Sequence, residues 1–272
     1  MIVNYPRMRR HHAAWPDDLD TALEFSSVNP FSISAPKNWD GKLEYTNGSG
    51  WKTWDGSAIA SGEIENNHCI YLRGIENSKI TGGNPDNAKW RIIGTNIACN
   101  GDIDLLLDYL TVKSGNRPAL ASFCYSRMFG GCTSLTAAPS LPATTLAVGC
   151  YARMFQGCTN LTAAPSLPAT TLASSCYYYM FQGCTSLTAA PSLPATTLAS
   201  YCYTKMFDGC KKIKLSTTAS GAYSKPYRIP KSGTGTTDLN ALNSMFANTG
   251  GTFKGTPEIN TTYYLDESNT IV

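Results

Sequence analysis

Ten cysteines, three histidines and a thin scatter of carboxylates are the side chains in this 272-residue sequence that could do chemistry. Eight of the cysteines, from Cys124 to Cys210, alternate at steps of 8 and 18 residues. A structural zinc site needs closely paired ligands, and these spacings supply none; histidine is also absent from the stretch. Like positions one repeat apart would be near enough for a disulfide. The alternative, which the reading favours, is two inward rows of free thiols packed as small apolar side chains. His11, His12 and His68 sit in no zinc-protease pattern and beside no nucleophile motif. The text SGTGTT at 232 to 237 lacks the glycine spacing and lysine of a phosphate loop. Between residues 118 and 203 the charged residues are Arg127 and Arg153 alone, so acid–base catalysis by paired carboxylates or by histidine is excluded there. The expectation is a non-enzymatic binding protein with no metal and no cofactor.

Charge excludes further classes. A formal net charge of +3 is small and scattered, whereas phosphate binding needs lysine and arginine clustered on one surface. Arg7, Arg9 and Arg10 beside His11 and His12 form the one basic cluster, and Asp17, Asp18 and Asp20 follow it closely, so a mixed-charge arm is expected and no nucleic acid. No apolar run approaches the ~20 residues that cross a bilayer, which argues against membrane insertion. The first twenty residues lack the apolar core of a secretory signal, which counts against export by the general secretion route. Charged residues make up only 15% of a chain rich in Gly, Ser, Thr, Asn and Pro, which favours strands and turns over long helices.

The elements that position these residues follow from an internal repeat. Cys124, Cys150, Cys176 and Cys202 recur at a step of 26, within the ~20–29 residues of leucine-rich repeats. Cys150, Tyr151, Met154, Phe155 and Cys158 fall on one side of a short helix, with Gly157 suited to stopping it. Leu161, Pro165, Leu167, Pro168 and Leu172 then read as extended segments, because the prolines forbid a helix. Past Cys210 the register breaks, and Met245-Phe246, Phe253, Pro257, Ile259 and Leu265 restore nearly the same order. The expected fold is a β-rich α+β protein. A small N-terminal β-sandwich-like domain precedes a short leucine-rich-repeat solenoid with a C-terminal cap.

The order L-T-x-x-P-x-L-P-A-T-T-L-A-x-x-C-Y-x-x-M-F-x-G-C resembles the BspA-like (Treponema pallidum type) leucine-rich repeats of bacterial surface proteins, in a variant found in gut bacteria and their bacteriophages. The resemblance is close from about residue 117 to 215, and the closing YRIP, MF, TGGTF and INTTYY segments are similar to the tails of such proteins. It implies fold more than ligand.

Four regions are expected: a docking arm over residues 1 to 20, a β-rich sandwich-like domain over 21 to 116 ending in a capping helix, the solenoid over 117 to 215, and a degenerate repeat and cap over 216 to 272. Asn47-Gly48 between Leu43, Tyr45 and Trp51, Trp54 marks a hairpin. Asp102 before Ile103, Leu105, Leu106, Tyr109 and Leu110 marks a capped helix that could cover the first open repeat.

Because the repeats are nearly identical, positions that differ between copies are those the core does not dictate. Ser126-Arg127, Ala152-Arg153, Tyr178-Tyr179 and Thr204-Lys205 differ, as do Gly130, Gln156, Gln182 and Asp208, and the pairs that end in Gly149, Ser175 and Tyr201. All are expected to point outward, either as a drifting solvated face or as a contact strip. The strip would comprise Arg127, Arg153, Tyr178, Tyr179, Tyr201 and Lys205, with the tyrosines as anchors. Tyr5, Arg7, Arg9, Arg10 and Trp15 are the candidates for docking the arm on a partner.

With the resemblance, the leading expectation is a phage virion-associated tail or head fibre or decoration protein that adheres to a host-surface glycan or protein. It would lie on a virion or extracellular surface and hold other virion proteins through its arm, and a homo-oligomer is allowed. The alternatives are a bacterial cell-surface adhesin of the BspA-like kind, or a purely architectural virion subunit.

Overall fold

A computed structural model describes residues 15–36, 39, 41–81, 89–233 and 240–272. Strands dominate, in several separate sheets. The largest takes its strands in the order Leu135–Ala137, Ile97–Asn100, Leu23–Ser27, Asn67–Gly74, Leu43–Thr46 and Lys52–Trp54, with Gly62–Ile64 also paired to Asn67–Gly74. A three-stranded sheet joins Ile59–Ala60, Ser32–Ser34 and Arg91–Ile93. Near the C-terminus, Tyr223–Arg228, Thr262–Asp266, Lys214–Ser216 and Gly250–Gly251 form a four-stranded sheet. Alternation sets the buried face: Leu23, Phe25 and Ser27 point inward along their strand while Glu24 and Ser26 are half-exposed.

Arg73 ties the front together. Its guanidinium pairs with Asp18 at 2.6 Å and Glu44 at 2.7 Å, and lies over the rings of Trp51 at 3.9 Å and Tyr109 at 4.2 Å. These four contacts bring the turn at Leu19–Thr21, the Leu43–Thr46 strand and the helix Leu105–Lys113 onto one sheet. The pairing satisfies a cation that would otherwise be buried alone.

The 26-residue copies begin at Cys124, Cys150, Cys176 and Cys202, and they stack in a fixed hydrogen-bond register. Alternate residues divide the amides. Tyr125, Arg127, Phe129 and Gly131 donate to the carbonyls of Cys150, Ala152, Met154 and Gln156 at 2.7–3.0 Å. Ser126, Met128, Gly130 and Cys132 donate three residues back along the chain. The same division continues from copy to copy. Tyr203, Lys205, Phe207 and Gly209 finally donate to Ala241, Asn243, Met245 and Ala247, each at 2.9 Å. Inside, Tyr125, Tyr151, Tyr177 and Tyr203 stack at 5.6–5.9 Å, and Phe129, Phe155, Phe181, Phe207 and Phe246 stack at 5.4–5.8 Å.

The expected leucine-rich-repeat solenoid with its sandwich-like front and cap is corrected by these features. Among the described residues there is one α-helix, Leu105–Lys113, and it precedes the repeats. Every fourth residue of the turn-forming stretch is left-handed, with φ of 59° at Gly149, 58° at Arg153 and 75° at Gly157, so the short helix of each copy cannot form. The extended segments carry prolines without donors, and they reduce to isolated bridges such as Thr145↔Thr171 and Ala163↔Ala189. Among the described residues no sheet is closed and none runs through all the copies. Nor does a sandwich stand apart. The edge strand Leu135–Ala137 of the largest sheet comes from the first copy, and one hydrophobic core runs from Leu23 to Leu265. The β-rich character stands.

Returning strands pin the far end. Ala189–Ala190 pairs in parallel with Thr270–Ile271, and Thr197–Leu198 with Ser232–Gly233. Between them Asn269 is fully buried. It donates to Thr188 at 3.0 Å and Lys212 at 2.8 Å, and accepts from the Lys214 amide at 2.9 Å, which satisfies a side chain that would be costly to bury unpaired.

Candidate functional site

The backbone register determines where the differing side chains fall. Arg127, Arg153, Tyr179 and Lys205 occupy one row, linked through their amides to the residue before the next member. All four are left-handed, with φ of 59°, 58°, 57° and 51°. A left-handed backbone at non-glycine residues costs on the order of 1 kcal/mol each, so the row persists because both neighbouring copies hold it.

Around the third copy this row becomes a cluster. The rings of Tyr178 and Tyr179 lie 4.2 Å apart at 53°. The Arg153 guanidinium sits 5.3 Å from the Tyr178 ring and 4.8 Å from the Tyr179 ring, and the Lys205 ammonium sits 5.3 Å from the Tyr179 ring. All four side chains are half-exposed. Burial and the neighbouring Tyr179 push the Tyr178 phenol above its ordinary range, against the pull of Arg153. Contact with Tyr179 raises the Lys205 ammonium, so it stays charged at neutral pH. Cations over tyrosine faces hold the rings in place by about 0.5–1 kcal/mol per contact at exposed sites.

The structure brings together Arg153, Tyr178, Tyr179 and Lys205. Arg127 is half-buried one copy further along the row. Tyr201, 37% exposed, belongs to a different row with Phe123, Gly149 and Ser175. Trp15 packs edge-on against Tyr71 at 5.7 Å, on the protein's own sheet. Tyr5, Arg7, Arg9 and Arg10 lie outside the described residues.

Not every differing position faces outward. Ala152, Thr204 and Asp208 are buried. Asp208 belongs to a polar row that sequence reasoning missed. Gln156 donates to Gln182 at 2.5 Å, and Gln182 donates to one Asp208 oxygen at 2.9 Å. Asn248 donates to the other Asp208 oxygen at 2.8 Å. The signal is an amide or acid at the same place in successive copies, which variation alone marks only as outward-facing. A second missed group joins the helix start to the repeats. The Tyr125 hydroxyl donates to Asp104, and Arg117 pairs with Asp102 and lies 3.6 Å from Asp104.

All ten cysteines are buried thiols, and none is joined in a disulfide. Cys158, Cys184 and Cys210 direct their thiols at the carbonyls of Phe129, Phe155 and Phe181 at 3.0–3.1 Å. Burial pushes the thiols of Cys124, Cys184 and Cys202 up to about 12, so the thiolate that would attack or ligate is suppressed. Among the described residues no cluster of three His, Cys, Asp or Glu could hold a metal, and no helix is long and apolar enough to cross a membrane.

The chain matches no family model, no curated protein and no solved structure.

Proposed function

We propose that this is a non-enzymatic adhesion protein that binds a host-surface glycan or protein through the strip around Tyr178 and Tyr179. The observation that carries the reading is the tyrosine pair flanked by Arg153 and Lys205, at positions where otherwise near-identical copies differ. Tyrosine and arginine supply large contact area with polar ends, and both are enriched where binding energy concentrates. The setting, a phage virion or a bacterial surface, rests on the resemblance of the repeat text to BspA-like proteins.

The test is adsorption of labelled protein to candidate host cells. Tyr178→Ala with Tyr179→Ala is expected to lower adsorption at least tenfold, while Tyr201→Ala measures whether the strip extends to the neighbouring row. Unchanged adsorption by the double variant removes this strip. A second reading, an architectural subunit, is favoured by Phe123 and Val148, which are 52% and 42% exposed beside one another in the ladder.

A further inference from the structure

Resting on that binding reading, we infer that the strip selects an acidic glycan, one carrying carboxylate or sulfate groups, over a neutral one. Arginine and lysine are donors without acceptors, and Arg153 and Lys205 are the two charged members of the group. A neutral sugar is commonly held by an open aromatic face together with acceptors for its hydroxyls. Here the ring faces of Tyr178 and Tyr179 are already approached by the cations, at 4.8 to 5.3 Å.

Acceptors are also scarce. Among the described residues no carboxylate forms an ion pair with Arg153 or Lys205. The nearest acid in the ladder, Asp208, is buried, and both its oxygens accept from Gln182 and Asn248. The carbonyl oxygen of Gln182 is in turn taken by Gln156. Copies one to three contain no Asp or Glu at all between residues 118 and 203. The surface therefore presents two cations whose side-chain partners are the neutral hydroxyls of Tyr178 and Tyr179 and which no ion pair neutralises among the described residues, and a ligand rich in anionic acceptors complements it.

Spacing points to a polymer. Arg153 and Lys205 stand two copies apart, each copy set off by 5.7 to 5.9 Å in the tyrosine stack, with Tyr179 between them. Two cations that lean on the Tyr179 ring from the copies on either side suit acidic groups that recur along an extended chain. A nucleic acid also carries regular anions, but two cations with no wider basic surface give little of the counterion release on which such binding depends.

The test measures binding of the full chain to immobilised polygalacturonate, dextran sulfate, neutral dextran and a single-stranded DNA oligonucleotide. Binding to the carboxylate or the sulfate polymer is expected, at least tenfold tighter than to dextran or DNA, and whichever polymer prevails names the anion. Arg153→Gln with Lys205→Gln should weaken it at least tenfold with the melting temperature preserved, whereas Lys211→Gln with Lys212→Gln, on exposed residues elsewhere, should not. Equal binding to dextran or DNA, or no effect of the Arg153/Lys205 pair, overturns the inference. If that pair leaves host-cell adsorption intact while Tyr178→Ala with Tyr179→Ala abolishes it, the acidic ligand falls and the adhesion strip stands. If neither variant matters, both fall.

Discussion

The Tyr125 hydroxyl donates to the Asp104 carboxylate at 2.8 Å, joining the first copy of the repeat to the residue that precedes the helix Leu105–Lys113. Tyr151, stacked 5.6 Å away in the next copy, has a buried hydroxyl that finds no partner among the described residues. The same substitution should therefore act in opposite directions at the two positions. Tyr125→Phe strands a buried carboxylate and should cost about 1.5–3 kcal/mol, while Tyr151→Phe removes an unsatisfied polar group and should be neutral or stabilise by up to about 1 kcal/mol. Urea unfolding of the two variants checks this; equal losses would remove the Asp104 link.

Asp104 also makes stability depend on pH. Burial raises its carboxyl to about 6, with Asp102 adding to the rise and Tyr125 and Arg117 opposing it. Between about pH 4 and 6 the native state keeps a proton that the unfolded chain has released, so stability declines as pH rises through this window and recovers on acidification. The contribution is on the order of 2 to 3 kcal/mol. Asp104→Asn should flatten the unfolding midpoint across that window, leaving acid loss below it from Asp18 and Asp266, whose carboxyls are lowered. A variant that keeps the wild-type slope would assign it to another group.

The inward set of the repeat was legible, because Cys150, Tyr151, Met154, Phe155 and Cys158 are all buried. Their local conformation was not. A run of turns repeating every four residues and a helix repeating every 3.6 bury nearly the same positions over two turns, so polarity alone cannot separate them. Gly157 hinted at a left-handed backbone, but Arg153 and Ser175 adopt one too, and nothing in their chemistry announces it. Outward positions were half legible. Tyr178 and Tyr179 were found by comparing copies, yet that comparison also returned Asp208, whose role depends on Asn248 forty residues later in the chain. Arg73 with Asp18 and Glu44 left no trace in the sequence, because its partners are held by long-range strand pairing.

Two further left-handed positions, Gly157 and Ser175, yield a pair of backbone variants. At Gly157, φ is 75° and an added Cβ would lie 3.6 Å from Gly131, so Gly157→Ala has room and meets only backbone strain. It should cost about 1–2 kcal/mol. Ser175, at φ 57°, already bears that strain, and Ser175→Gly should hold or slightly raise the melting temperature. A harmless alanine at Gly157 would mean that the turns can relax.

Thiol accessibility gives the fourth check. All ten cysteines are buried, and burial lifts the repeat thiols far above neutral pH. A disulfide reagent at pH 8 should modify none within minutes in native buffer and all ten in denaturant. Rapid labelling of Cys132, the most exposed repeat cysteine at 7%, would show the first copy opening locally.

The split of amides between a copy and its successor bears on inheritance. In the turn-forming stretch each copy meets its neighbour through the same backbone bonds, so deleting residues 151 to 176 would set Cys150 before Tyr177 with that ladder preserved. The molecule would simply be shorter by one ring spacing, 5.6 to 5.9 Å. Tandem duplication or loss in the gene can therefore change the length of the stack without inventing a new fold, and each added unit supplies further outward residues on which selection can act.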